Sequence, residues 1–523
     1  MNKKCVLFVA TLFCAALWAG EQIPSPIKPD AALELSRGKA AEKIGDSWAA
    51  LEHYCNAVIL DPDCVECVST LSQKAITSPW TLSPPESLRS IRAMYQSRSA
   101  AAPDNAFYLW AIAVLDDSAT RVLAERSYRS TIALKPDFIK AYEGLAATLS
   151  FRGDLQGELE CLNKLRDMQP GNSDALAAYA QRVLESDPAL ARKLTTELLQ
   201  VSHHPAGADL LARLAAFDPN LTTRIETLEQ LKAWYPPSEN DTTEWHMRFL
   251  FDAYNRTDPM KALALAQEMV LLMSPRSEAG RDWQAISKFQ ARHIQARSLM
   301  ERKSYGEAIK ELKDLKTPYL VSNAPHSILD AEALEKTGKA EEAYQVLIRA
   351  MAAQPSDELK TAVNVCGQRR NKSSAQVNAD IFAFRTKGAH KAPDFEVYLS
   401  NGWKPVKITE YRGQVVLLDF WNPSSVTARN DFPHLKKMLQ KYEAKGFTII
   451  SINTRPDMPV ASVLTNRYSF VPLTYMGRSL DDFKEVPYYL LLDREGRALY
   501  EPQFGGYDAQ RSFELEVELL LGK

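Results

Sequence analysis

Cysteine is scarce and unevenly spread in this chain. Of 523 residues seven are cysteine, and none lies beyond Cys366. A low count in a chain this long excludes a small disulfide-framed scaffold. An excess of either charge is missing too: net charge is -2, with 63 Lys and Arg against 65 Asp and Glu. Composition therefore gives no nucleic-acid or polyanion signal, and the stretch "CGQRRNKSS" from Cys366 is too brief to count as a basic patch. Beyond the N-terminus no apolar run is long enough to span a membrane. Long stretches of Gly, Ser and Pro are scarce between residues 30 and 370. What remains has an ordinary soluble composition, 46% hydrophobic and 24% charged, with room for more than one domain.

The N-terminus reads "MNKKCVLFVATLFCAALWAG": Lys3 and Lys4, an apolar run from Val6 to Trp18, then small residues. This is a secretory signal-peptide pattern, expected over 1–20 with a cut after Ala19 or Gly20. The run is shorter than the roughly 20 residues a span needs, so cleavage is favoured over an anchor, and no transmembrane span is expected in the mature chain. Bulky Phe13 before Cys14 argues against lipidation. Removing the leader leaves Cys55, Cys64, Cys67, Cys161 and Cys366. The count is odd, so at least one thiol stays unpaired.

Residues 30–370 carry apolar positions at three and four spacings, a helical period. Pro62, Pro103, Pro136 and Pro170 each close an apolar-periodic segment, and the first interval is lengthened by the insertion "TSPWTLSPPES". In the first segment Gly38, Ala50, Tyr54, Ala57 and Pro62 are regularly placed, with Gly45-Asp46 at a turn. "EALEKTGKAEEAYQVLIRAMAAQP" repeats the scheme with Gly338, Ala343, Leu347, Ala350 and Pro355, and "ERKSYGEAIKELKDL" supplies a copy around Ala308 and Leu312. These residues resemble the tetratricopeptide repeat, a roughly 34-residue helix–turn–helix unit. One hairpin cannot bury its own apolar face, so stacking is obligatory. The register is open over about 172–290, where "DPMKALALAQEMVLLMSP" looks like a degenerate copy. The resemblance implies a concave face that binds proteins or peptides; the alternative is an array that only spaces the next domain.

After a linker expected at 371–390, composition shifts. "KAPDFEVYLSNGWKPVKITEYRGQVVLLDFWNP" reads as strand, turn and strand; "DFPHLKKMLQKYEAK" is a helix and "KGFTIISINTRPD" a buried strand. "EVPYYLLLDREGRALYEP" is a hairpin turning at Glu495-Gly496, and "DAQRSFELEVELLLGK" is a final helix. This order indicates an α/β sheet domain over 391–523. "APDF", "YRGQVVLLDFW" and "EVPYYLLLD" resemble the thioredoxin superfamily in its TlpA-like branch. The resemblance implies a cis-proline role for Pro487 and a buried carboxylate at Asp419. It also implies a W-x-x-W-C-x-x-C stretch after the strand. Trp421 is kept, but the two cysteine positions fall on Ser425 and Ala428. Exchange needs a thiolate and a resolving thiol, so dithiol chemistry by this domain is excluded. Ser425 has no Gly-x-Ser-x-Gly elbow either. A peptide groove shaped by Trp421 and Pro487 is one reading; simple preservation of the core is the other.

The competing signal is "DPDCVECVST". Cys64 and Cys67 form a C-x-x-C near the start of a helix that Asp63 would cap. A structural or incidental role, a redox pair and a metal site are all open, as is pairing of either with Cys55. A four-ligand zinc site would need a second pair. His203-His204 point apart as chain neighbours and make no metal site alone; no cofactor is expected. Asn220, Asn240, Asn255 and Asn371 fit the glycosylation triplet, relevant only in a eukaryotic secretory pathway. The expectation is a multidomain chain: an all-α tetratricopeptide-repeat solenoid over 30–370 followed by an α/β thioredoxin-like domain. It is an exported protein- or peptide-binding scaffold of the periplasm or cell envelope. The alternative is a thiol–disulfide oxidoreductase working through Cys64 and Cys67.

Overall fold

The computed structural model describes residues 26–77, 86–117, 121–152, 154–184, 187–318, 321–387, 389–391, 397–399, 405–422, 426–454, 470–475, 487–502 and 506–522. The leader at 1–20, most of the insertion after residue 77, "APDF" and Ser425 lie outside them. The chain divides into two compact units, Met1–Met168 and Gln169–Lys523.

Among the described residues of the first unit, eight helices follow one another: α1 Pro29–Lys43, α2 Ser47–Leu60, α3 Val65–Thr77, α4 Glu86–Ala101, α5 Ala106–Asp117, α6 Arg121–Leu134, α7 Ile139–Arg152 and α8 Leu155–Met168. Helices α2, α4, α6 and α8 each stop two residues before Pro62, Pro103, Pro136 and Pro170. Proline has no N–H for the ladder and its ring blocks the preceding turn. Between α1 and α2, Gly45 takes φ +80° and Asp46 accepts the Ala49 N–H at 3.0 Å, capping α2. Gly38 lies so close to Tyr54 that a Cβ there would sit 2.2 Å from a ring carbon. The missing side chain is what lets the buried Tyr54 ring cross α1, while its hydroxyl donates to Glu42 Oε2 at 2.9 Å. Burying a ring or a large aliphatic side chain in this way stabilises by about 1.5–3 kcal/mol each.

The second unit continues the helical run with Ser173–Val183, Pro188–Val201, Ala206–Phe217, Leu221–Trp234, Asp241–Thr257, Pro259–Leu272, Glu278–Glu301, Tyr305–Leu312, Ala324–Lys336, Ala340–Ala353, Asp357–Gln368 and Ser374–Thr386, α9 to α20. The region whose register the sequence leaves open is regular helix, with α9, α10 and α12 to α15 capped by Asn172, Asp187, Asn220, Asn240, Asp258 and Ser277. Two glycosylation-triplet asparagines are thus helix caps, and a third, Asn255, is buried.

Residues 371–390, expected as a linker, hold α20. A capping box starts it: Ser373 Oγ accepts the Gln376 N–H, and Gln376 Oε1 accepts the Ser373 N–H. Its buried Val377 and Ile381 join Tyr344, Leu347 and Val363 in one core. Leu515 and Leu519 of the C-terminal helix, Tyr507–Leu521, enter the same core. The packing therefore does not divide at residue 391. Salt bridges reinforce this seam. Arg224 holds Asp508 through both carboxylate oxygens at 2.6 and 3.2 Å, Arg256 reaches it at 3.1 Å, and Arg511 grips Asp357 at 2.8 and 2.9 Å.

The α/β domain is built on one sheet. Its strands are β1 His390–Lys391, β2 Val397–Leu399, β3 Pro405–Val406, β4 Val415–Trp421, β5 Phe447–Asn453, β6 Val471–Tyr475, β7 Tyr488–Leu492 and β8 Arg497–Tyr500, in the order β1-β8-β7-β4-β5-β6-β2-β3. β4/β5 and β5/β6 run parallel; the other pairs are antiparallel. Successive β4 side chains point to opposite faces. Val415, Leu417 and Trp421 enter one core with Phe432, Leu435, Phe513 and Val517, while Val416, Leu418 and Phe420 enter another. Helix α21, Val426–Tyr442, covers the first face. It starts earlier than the sequence suggests and carries Pro433 inside, because Ala428, Phe432 and Leu435 form a buried stripe through it. Helix, sheet and seam make this a multidomain fold: a large helical region followed by a small mixed-sheet domain of thioredoxin type.

Candidate functional site

The C-terminal end of β4 is where the sequence places its lost chemistry. β4 pairs Asp419 with Ser451 on β5 and with Tyr489 on β7. All three are buried, and Ser451 Oγ donates to Asp419 Oδ2 at 3.0 Å. The Tyr489 hydroxyl donates to Oδ2 of Asp431, a buried carboxylate of α21, at 2.7 Å. Burial pushes the Asp419 carboxyl up to about 8, against the opposing Ser451 hydrogen bond and with help from nearby Asp431. Burial likewise lifts Asp431 to about 6, opposed by the Tyr489 hydrogen bond, and raises the Tyr489 hydroxyl strongly. Two carboxyls, a tyrosine and a serine thus share a dry pocket of the core. The sequence flags Asp419 but misses Asp431 and Tyr489. The available signal was a carboxylate on the apolar stripe of α21, three residues beyond Ala428 and beside Phe432.

Trp421, a candidate groove residue, is 0% exposed and packs edge-on against Phe432 at 5.1 Å. Its indole lies inside the domain, so it supports a surface rather than forming one. Thr454 ties the Trp421 carbonyl through its N–H at 2.8 Å and its hydroxyl at 3.0 Å, closing the end of β4 onto β5. Pro487 is half-buried at the start of β7. The Phe420–Tyr488 register places it at the same sheet end as Trp421. Ala428 is 0% exposed within the core.

Cys64 and Cys67 lie elsewhere, in the first unit, and are joined as a disulfide with Cα atoms 5.3 Å apart. The cap of α3 differs from expectation. Cys64 Sγ, rather than the Asp63 carboxylate, accepts the Cys67 N–H at 3.0 Å, and Asp63 is paired with Arg98 at 3.6 Å. Cys55 is a separate, buried free thiol, as are Cys161 and Cys366. Burial pushes them up to about 11, 11 and 12 respectively. His204 turns to Asp174 at 3.0 Å, while His203 lies against Trp234 and Tyr235. Among the described residues no group of three or more His, Cys, Asp or Glu side chains is placed to hold a metal ion. No helix among them is long and apolar enough to cross a membrane.

The AhpC/TSA family model matches residues 389–501. Protein DipZ of Mycobacterium tuberculosis is 27% identical over 103 residues, which are 18% of this chain and 14% of that protein. Thiol-disulfide oxidoreductase ResA of Bacillus cereus is 22% identical over 116 residues, 21% of this chain and 66% of ResA. The chain thus spans less than two thirds of either curated relative. Among solved structures, the thioredoxin domain of a thiol-disulfide oxidoreductase from Bacteroides vulgatus is 23% identical with a TM-score of 0.21, covering 24% of this chain and 96% of that one. The C-terminal domain is thioredoxin-like and related to thiol–disulfide oxidoreductases.

Proposed function

We propose that this chain, whose thioredoxin-like domain is related to thiol–disulfide oxidoreductases, is an exported protein- or peptide-binding scaffold of the periplasm or cell envelope. In this reading tetratricopeptide-like repeats offer a concave binding surface. The thioredoxin-like domain keeps its fold and gives up its redox chemistry. The observation that carries it is chemical: no cysteine follows Cys366, and a buried methyl group stands at Ala428. A methyl can neither attack nor resolve a disulfide. The repeat reading is supported by helices that stop two residues before regularly placed prolines and by the Gly38–Tyr54 contact. The leader pattern at 1–20 supports export.

The test uses the full-length chain with Cys64→Ser and Cys67→Ser together. Expected are saturable binding of a labelled, extended peptide by fluorescence anisotropy and no acceleration of insulin reduction by dithiothreitol. Insulin turnover in that double variant would sink the reading. An oxidoreductase reading is favoured by the Cys64–Cys67 disulfide and by the similarity of the C-terminal domain to ResA.

A further inference from the structure

We propose that Cys64 and Cys67 are an exchangeable dithiol–disulfide pair set into the helical region, with Cys64 the sulfur that meets the partner, and that the partner is a dithiol of a protein or small molecule. This redox site is independent of the thioredoxin-like domain.

Four observations lead there. The bond spans a sequence separation of three. So short a loop removes little freedom from the unfolded chain, and the bond is poorly suited to be a staple. The turn is held without it: the Tyr95 hydroxyl donates to the Pro62 carbonyl at 2.6 Å, and Arg98 pairs with Asp63. Opening the disulfide therefore leaves the α2–α3 turn pinned by α4.

The two sulfurs are unequal. Both are buried, but Cys64 less completely, at 8% exposure against 0% for Cys67, so Cys64 is the sulfur nearer to an incoming thiolate. Cys64 also stands at the N-terminus of the thirteen-residue α3 and accepts the Cys67 N–H. Helix N-termini and N–H donors stabilise a thiolate. The flanking acids are engaged, Asp63 by Arg98 and Glu66 by Lys39 at 3.6 Å. The remaining described thiols, Cys55, Cys161 and Cys366, are single and buried, which leaves this pair as the place among the described cysteines where a two-electron exchange can occur.

The step balances as follows. The partner thiolate attacks Cys64 Sγ; the Cys64–Cys67 bond breaks, and Cys67 leaves as a thiolate that takes up a proton. The partner's second thiol, losing its proton, attacks its own sulfur in the mixed disulfide and expels Cys64 as a thiolate held by the Cys67 N–H. The partner dithiol is oxidised to a disulfide, and the chain's disulfide is reduced to the Cys67 thiol and the Cys64 thiolate.

The experiment is a titration of the full-length protein in reduced and oxidised dithiothreitol at pH 7, quenched by alkylation and read by peptide mass spectrometry. Cys64 and Cys67 are expected to gain and lose the label together and reversibly, with Cys55, Cys161 and Cys366 protected and far-UV circular dichroism unchanged. Against 5,5′-dithiobis(2-nitrobenzoate), Cys67→Ala (leaving Cys64) is expected to react at least about tenfold faster than Cys64→Ala, following access to the thiolate. A bond that resists reduction until denaturant is added, or two thiols that oxidised dithiothreitol cannot join, overturns the proposal. The wild-type titration decides this even where a variant fails to fold. Because the peptide-binding assay uses the double serine variant, the two readings fail separately.

Discussion

Asp419 is a carboxyl whose ionisation its surroundings oppose. Burial holds its carboxyl near about 8, whereas an unfolded aspartate titrates near about 3.9. The native state therefore keeps a proton that the unfolded state releases. Its contribution is most favourable below pH ~4 and is lost progressively as pH rises toward 8. Asp431, held near about 6, adds the same sign over the lower part of that window. Asp419→Asn, which keeps the shape and cannot ionise, is expected to flatten this slope and raise stability at pH 8 by on the order of a few kcal/mol. Urea unfolding of both proteins between pH 4 and 9 checks it; parallel curves would assign the pH dependence elsewhere. Of the four members of this cluster, one was legible beforehand. Asp419 was marked by the resemblance to the thioredoxin superfamily. Asp431 and Tyr489 meet only when α21 and β7 fold onto the same face, and no local pattern reports a contact across that sequence distance.

At the scale of the element, the α1–α2 hairpin shows what a repeat position is for. Gly38 is required by proximity, since its Cβ would enter the Tyr54 ring. Gly38→Ala is expected to cost about 1–3 kcal/mol by overpacking, and Tyr54→Leu in the same chain to recover part of that cost. A double-mutant cycle by thermal unfolding would read the coupling; additive losses would refute the contact. Proline and glycine punctuation made α2, α4, α6, α8 and α18 readable, because these residues act through the local backbone. The caps of α9, α10 and α12 to α15 were just as local, yet Asn220 and Asn240 were read as modification triplets. The helix inside 371–390 escaped notice because the core that Val377 and Ile381 enter is completed by Leu515 and Leu519 of the C-terminal helix, far away in sequence.

For the second unit as a whole, the C-terminal helix joins two cores, with Leu515 and Leu519 in the helical one and Phe513 and Val517 in that of the sheet. Leu515→Ala, at a position 2% exposed, is expected to cost about 2–5 kcal/mol. It should weaken amide-exchange protection in α18 to α20 and in β4 and β7 together. Protection lost from the sheet alone would show that the two parts open independently. Fold class was legible because each half has its own period, 3.6 or 2. The seam was not, since salt bridges such as Arg224–Asp508 join residues hundreds of positions apart.

That seam also sets an order on manufacture. Synthesis runs from N- to C-terminus, so α18 to α20 leave the ribosome long before Tyr507–Leu521 exists to cover them. Until that late segment arrives, the core that Val377 and Ile381 share with α18 and α19 lacks Leu515 and Leu519. A nascent chain interrupted in its closing residues would therefore be sticky in its middle, and quality control would meet the defect well upstream of the missing piece.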